Sequence, residues 1–321
     1  MDTEGATPKT LVEAIRHFAD PDICQDFLVK LRWPDGITCP TCSSKAVAYL
    51  ADYRRWKCRT NHPRRQFSVK VGTIFEDSPI GLDKWLPAVW MLVNDKNGIS
   101  SYEVARALGV TQKTGWFMLH RIRLAMQRGG IAIKMRGEVE ADETFIGGAA
   151  RFMHRVRREQ KIKGRGMVGK TAVMGLLERH GPDKVSRVKV SVVPTVRRRH
   201  LQAEIRQHVE PGTQLYTDAL KSYERLTDLY THHVIDHAEA YAHGRIHTNG
   251  LENFWSLLKR AIKGTYVSVE PFHLFRYLDE QALRFNERAR NDGGRFVEVL
   301  RTIVGRRLTY RGLIGNALAT T

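Results

Sequence analysis

Four cysteines in 321 residues are too few for a disulfide scaffold, so a reducing cytoplasm is the expected setting. Long apolar runs are missing as well. No stretch reaches the roughly 18 residues that a bilayer-spanning helix needs, and the apolar segment 85–93 is short and interrupted by Pro87. The first eight residues lack the basic and apolar regions of a secretory signal. The sequence shows no internal repeat. Acidic residues are scarce: 34 Asp and Glu stand against 52 Lys and Arg, a formal charge of +18. Such a balance favours a polyanionic partner, although ribosomal and membrane-surface proteins share it. What is present is ordinary for a soluble globular chain, with 42% hydrophobic and 27% charged residues and enough length for two or three domains.

Hydrophobic periodicity divides the chain. Residues 1–35 read as a helical lead-in, with Leu11, Ile15, Phe18, Phe27, Leu28 and Leu31 apolar and Pro21 and Pro34 as punctuation. Residues 36–71 are basic and rich in turn formers, and 72–130 are helical. From 136 to 290 strands alternate with helices. Strands are expected at 138–146, 171–177, 185–193, 214–217 and 233–235, and helices at 196–208, 220–229, 248–262 and 272–288. Three successive strands followed by alternation predict an α/β domain with a mixed sheet covered by helices. Residues 291–321 read as a helical tail. The basic segment 151–170 carries Arg155, Arg157, Arg158, Lys161, Lys163 and Arg165 with one acid, Glu159. It is expected to be a solvated loop that orders on DNA.

Cys39-Pro-Thr-Cys42 presents two thiolates from one tight turn, and Cys58-x-x-x-His62 offers a third sulfur and a nitrogen from another. Three sulfurs and one nitrogen suit tetrahedral structural zinc, which a segment too small for its own core would need. A redox pair is disfavoured because no βαβ pattern surrounds it, and Cys24 reads as a core thiol. Arg32, Arg54, Arg55, Lys57, Arg59, Arg64 and Arg65, with Tyr53 and Trp56 among them, form either a phosphate-contacting surface or a generic charged face.

Residues 99–116 read as a helix-turn-helix. Ser100 or Ser101 caps the first helix with Glu103 reaching back, Ala105 is small at the crossing, and Gly109 takes the turn. Thr111 caps a second helix with Gln112 and Lys113 at the end that enters a major groove in such motifs, and Arg121 extends the positive charge. Simple helical packing has the same pattern.

Asp142 and Asp218 stand near the ends of predicted strands, and Glu252 in the first turn of a predicted helix. Strand ends and helix starts share one rim of a sheet, where three carboxylates could hold divalent metal against a polyanion. Each also has a plain structural alternative. Asp142 could be a solvated position beside Glu140, Asp218 a helix cap, and Glu252 the capping-box partner of Asn249.

The order of blocks is more specific. Zinc-knuckle cysteines precede Gln66-Phe-Ser-Val, Gly72-Thr-Ile-Phe and a helix-turn-helix. Asp142-Glu-Thr-Phe-Ile-Gly-Gly, Tyr216-Thr-Asp218, His247-Thr-Asn-Gly-Leu-Glu-Asn-Phe-Trp-Ser-Leu-Leu-Lys259 and Phe285-Asn-Glu-Arg follow. This resembles the DDE transposases of bacterial insertion sequences that carry an N-terminal zinc ribbon, the ISXO-type family. The resemblance implies an RNase H-like catalytic domain, Mg2+ or Mn2+ catalysis, and double-stranded DNA as substrate, both transposon ends with terminal inverted repeats and target. It also implies Asp142, Asp218 and Glu252 as the metal triad and Lys259 as a contact to phosphate near the scissile position. Joining two ends calls for a homodimer or larger assembly. One departure stands out: such ribbons often close with a second Cys-x-x-Cys, where this chain has Cys58 and His62. His243 and His247 flank the pocket, and Trp255 reads as core. Two rivals remain, a nuclease or resolvase that cuts without joining and a non-catalytic zinc-ribbon regulator.

Overall fold

Thr10 and Asp20 cap the two helices that open the described chain. Thr10 accepts from the amide of Glu13 in α1 (Leu11–His17), and Asp20 from that of Asp22 in α2 (Pro21–Arg32). The computed structural model describes residues 7–127, 134–147, 155–156, 159, 169–179, 185–235 and 247–315. It divides into two compact units, Met1–Gln127 with Arg290–Thr321, and Arg128–Ala289.

In the first unit a three-stranded antiparallel sheet runs β1 (Val47–Leu50), β2 (Arg55–Cys58), β3 (Gln66–Phe67). β2 alternates as a two-faced strand should: Arg55 and Lys57 point to solvent, Trp56 and Cys58 inward. Trp56 stacks on Phe67 at 6.0 Å between ring centres and meets Trp33 edge-on at 5.7 Å. Helix α3 (Leu82–Asn94) is apolar almost all round and is buried accordingly, at Trp85, Leu86, Val89, Trp90, Leu92 and Val93. Phe18, Phe27, Trp90 and Phe296 close an aromatic centre.

The C-terminal segment is no separate tail. Helix α9 (Asp292–Arg301) packs on α3, Thr302 Oγ1 donates to the carbonyl of Ala125 at 2.6 Å, and the amide of Gly305 to that of Gly72 at 2.8 Å. Its apolar stripe (Phe296, Val299, Leu300, Ile303) can be buried only against the first unit's helices.

In the second unit the five-stranded sheet has the order β6-β5-β4-β7-β8. The strands are β4 (Glu138–Ile146), β5 (Thr171–Glu178), β6 (Arg187–Val193), β7 (Gln214–Asp218) and β8 (Thr231–Ile235). β4, β5 and β6 pair antiparallel, while β7 and β8 join parallel to β4. Val139, Ala141, Met174, Leu176 and Leu215 line one face with α6 (Arg198–His208). Ile146, Val173, Leu177 and Val188 line the other with α7 (Asn249–Ala261) and α8 (Leu274–Asn286).

The helix expected over 220–229 does not form; a single tight turn, Lys221–Tyr223, stands there. The Gln202 side-chain amide takes the carbonyls of Ser222 and Glu224, and Arg225 lies at φ 65°, outside any right-handed helix.

Candidate functional site

The zinc-ligand candidates are brought together. The ligand atoms of Cys39, Cys42, Cys58 and His62 all lie within 4.8 Å of one another, with Cys39 Sγ 3.4 Å from His62 Nε2 and Cys42 Sγ 3.6 Å from Cys58 Sγ. Short turns do this: the amide of Ser43 donates to the Cys39 carbonyl at 2.8 Å, and that of Cys58 to the Arg65 carbonyl at 2.8 Å. His62 Nδ1 lies 2.7 Å from the Pro63 carbonyl. A carbonyl only accepts, so the proton sits on Nδ1 and leaves Nε2 free to ligate. Burial works to raise the Cys58 thiol, but contact with His62 and hydrogen bonding to Thr60 and Cys42 bring it down to about 6, which favours the thiolate a metal requires. The donor set and its closure fit structural zinc.

The cationic residues named around this cluster divide. Arg55, Lys57, Arg64 and Arg65 are exposed, whereas Arg54 holds Asp22 at 2.5 Å. The expected helix pair is formed by α4 (Ser101–Leu108) and α5 (Gln112–Met126), with a full capping box between Ser100 and Glu103 and Gly109 in the left-handed region at φ 61°. A side chain at Gly115 would lie 2.9 Å from the Ser101 carbonyl, so glycine sets the helix crossing as much as Ala105 does. Gln112 is exposed and bonds Ser101 at 2.8 Å; Lys113 is exposed over the Tyr310 ring. Arg121 is not the exposed cation expected from the sequence. It is buried, and its guanidinium donates to the carbonyls of Leu308 and Glu76. Of the basic segment, Arg155 is exposed and paired with Glu159 at 2.9 Å. Arg157, Arg158, Lys161, Lys163 and Arg165 lie outside the described residues, as does His243.

In the second unit, period-two alternation puts Glu140 and Asp142 on the β4 face covered by α7 and turns Glu143 to the opposite face. Asp142 Oδ2 accepts from Trp255 Nε1 at 2.8 Å, and Oδ1 from the amide of Glu143 at 2.8 Å. Burial raises the Asp142 pKa; these two hydrogen bonds oppose the rise, and the charges of Asp218 and Glu252 add to it. Asp218 is half-buried at the end of β7, its Oδ1 accepting from the amide of Leu220 at 3.2 Å, and it caps no helix. Glu252 is exposed in the first turn of α7, whose N-cap residue is Thr248 and gives no side-chain cap, so the capping box with Asn249 is not made. Glu252, Trp255 and Lys259 fall at i, i+3 and i+7 and share one helix face.

The three carboxylates therefore lie near enough for Asp218 and Glu252 to act on Asp142. Among the described residues, however, only the cysteine–histidine group closes to a common coordination distance. Carboxylate oxygens are hard donors of the kind that magnesium takes, one or two at a time with its remaining positions filled by water.

Sequence reasoning missed two further acids. Glu140 is buried at 1% exposure, takes Arg179 Nε at 2.6 Å and accepts from the amide of Leu251 at 2.9 Å. Arg179 also donates to His247 Nδ1 at 2.9 Å. Glu140 thus caps α7 from the neighbouring strand and fixes the turn that carries Glu252. A residue two before Asp142 on the same strand face was the available signal. Glu143, accepting from the Tyr223 hydroxyl at 2.7 Å, is pushed up to about 7 by burial and by the charges of Asp218 and Asp142.

Comparison with known proteins matches residues 134–286 to the ISXO2-like transposase domain and residues 20–60 to the transposase zinc-ribbon domain. The chain is 34% identical over 101 residues to an "Uncharacterized transposase-like protein" of Haemophilus influenzae, covering 31% of this chain and 81% of that protein. The chain belongs to the ISXO2-like transposase family. It is also 27% identical over 258 residues to the "Uncharacterized protein in transposable element ISH50" of Halobacterium salinarum, covering 77% of this chain and 84% of that protein. The domain match contains Asp142, Asp218 and Glu252. The ribbon match contains the three cysteines and stops short of His62, whose place in the cluster comes from geometry. No helix among the described residues is long and apolar enough to cross a membrane.

Proposed function

We propose that this transposase binds the terminal inverted repeats of an insertion sequence, cleaves the ends, and joins the freed 3′-hydroxyl to target DNA. The observation that carries the reading is that Asp142, Asp218 and Glu252, from two adjacent parallel strands and the first turn of the covering helix, lie near enough for the charges of the last two to act on the first. The sheet order, three antiparallel strands and then two parallel ones, agrees with an RNase H-like domain. These three carboxylates would hold Mg2+ or Mn2+, which when bound supplies Lewis-acid stabilisation of charge on the attacking and leaving oxygens.

The chain's own residues do the rest. Burial and the neighbouring acids keep Asp142 proton-avid until positive charge arrives. Lys259, on the face of Glu252, offers a cation to a phosphate beside the scissile bond. Arg55, Lys57, Arg64 and Arg65, with Gln112 and Lys113, supply exposed donors for end binding. Two ends joined in one event require at least two copies of the chain.

The test is a labelled element end with a target plasmid and magnesium. The wild-type chain should give nicked and joined products. Asp142→Asn and Asp218→Asn should lose roughly a thousandfold or more in both, a few kcal/mol of transition-state stabilisation, while still binding the end. Cleavage without joining would make the chain a nuclease or resolvase. Wild-type cleavage by Asp142→Asn would remove the active-site assignment.

A further inference from the structure

Trp255 is 4% exposed and by position alone is a core residue between α7 and the sheet. Two details set it apart. Its one polar atom, Nε1, is spent on Asp142 Oδ2 at 2.8 Å. Its six-membered ring lies over Gly175, the direct cross-strand neighbour of Asp142, where an added Cβ would stand 2.6 Å from Cζ2 and 2.7 Å from Cη2. The seat under the indole therefore exists only because residue 175 has no side chain. The same helix turn is held one step earlier by Glu140, which accepts from the amide of Leu251 at 2.9 Å. Two carboxylates two residues apart on β4 thus receive two donors four residues apart on α7. The rise of two strand residues, about 6.7 Å, is close to that of one helical turn, about 5.4 Å, so the two contacts match without distortion.

We propose that Trp255, seated on Gly175, is a positioning residue that orients the Asp142 carboxylate toward Glu252 on its own helix face and thereby sets the site's affinity for divalent metal. This rests on the reading of Asp142 as a metal ligand. The indole N–H engages one lone pair of Oδ2 and the Glu143 amide one of Oδ1, so the carboxylate is held in one rotation with a lone pair left on each oxygen. A phenylalanine would fill much of the volume and hold nothing.

The experiment is a titration of zinc-loaded protein with Mn2+ alone, reading free Mn2+ by electron paramagnetic resonance, beside end cleavage across Mn2+ concentrations. Trp255→Phe should weaken Mn2+ binding about tenfold and raise the Mn2+ needed for half-maximal cleavage by the same factor, with a smaller change in rate at saturation. Gly175→Ala, which pushes the indole off its seat, should do the same, and the two changes together should not add. A folded Trp255→Phe with wild-type Mn2+ affinity overturns the proposal, and so does loss of folding by both single variants, which would make the indole purely structural. Asp142→Asn separates the levels. If it keeps Mn2+ and cleavage, the active-site reading itself fails. If it loses both while Trp255→Phe loses neither, only the positioning role fails.

Discussion

The two candidate metal centres are built in opposite ways. The cysteine–histidine cluster draws its ligands from one short stretch, residues 39–62, and two tight turns bring all four ligand atoms within 4.8 Å. The carboxylate site draws Asp142 and Asp218 from neighbouring strands and Glu252 from a helix, and its groups stay apart. The difference follows from ligand chemistry and task. Thiols and imidazole can share hydrogen bonds before they bind and so pack together, and a closed tetrahedral set suits a staple. Carboxylates carry charge beforehand and raise one another's pKa, as Asp218 and Glu252 do for Asp142. An open, water-retaining set suits a site that must also admit phosphate.

Removing zinc should break the comparison most strongly, because in such ribbons metal binding is folding free energy on the order of 10 kcal/mol. Cys58→Ser, or chelation, should expose 36–71 to protease and abolish end binding, while the second unit keeps its far-ultraviolet signature. A chain that binds ends normally without zinc would show the aromatic packing of Trp33, Trp56 and Phe67 to be sufficient. Next comes Glu140→Ala, which takes the buried Nε partner from Arg179, leaving it Glu138 and His247, and uncaps α7. The expected loss is about 3–5 kcal/mol, read as a fall in the denaturant midpoint of the second unit with zinc content unchanged. A change under 1 kcal/mol (of order one lost surface pair) would mean that α7 is held by its apolar face alone.

Acid titration sharpens the contrast further. Glu143 ionises near 7 when folded, above its ordinary value of 4.5, so the folded chain holds this proton more tightly. Its unfavourable contribution is absent below about 4.5, grows as pH rises toward 7, and is complete above that. Glu143→Gln should therefore stabilise magnesium-free protein by roughly 1–3 kcal/mol at about pH 8 and leave it nearly unchanged near pH 4. Equal melting shifts at both pH values would contradict this. The smallest effect is expected at the helix pair, where Ser100→Ala should cost about 1 kcal/mol and, if α5 reads DNA, weaken end binding only through that loss.

Several local features were legible because their causes are local. The two cysteine turns, the Ser100–Glu103 box, the turn at Gly109 and the strand β4 all depend on residues within a few positions. The misreadings have long-range causes. A helix over 220–229 satisfies periodicity, but Gln202 takes the carbonyls it would use. Arg121 looks like a groove-facing cation until Leu308, nearly two hundred positions later, supplies a carbonyl for it.

By itself the sequence determined which groups this transposase has to work with: a soft ligand set in tight turns, a basic surface, and three acids carried on two strands and a helix start. Only the tertiary structure decided what holds those acids. Strand pairing of Asp142 with Gly175 opens a seat, α7 fills it with Trp255, and Glu140 pins the same helix; the two hydrogen bonds to α7 join positions more than a hundred apart. Local propensity decides turns and alternation. Burial on a shared sheet decides which distant side chains become partners, because a polar atom removed from water must find its hydrogen bond wherever the fold places one.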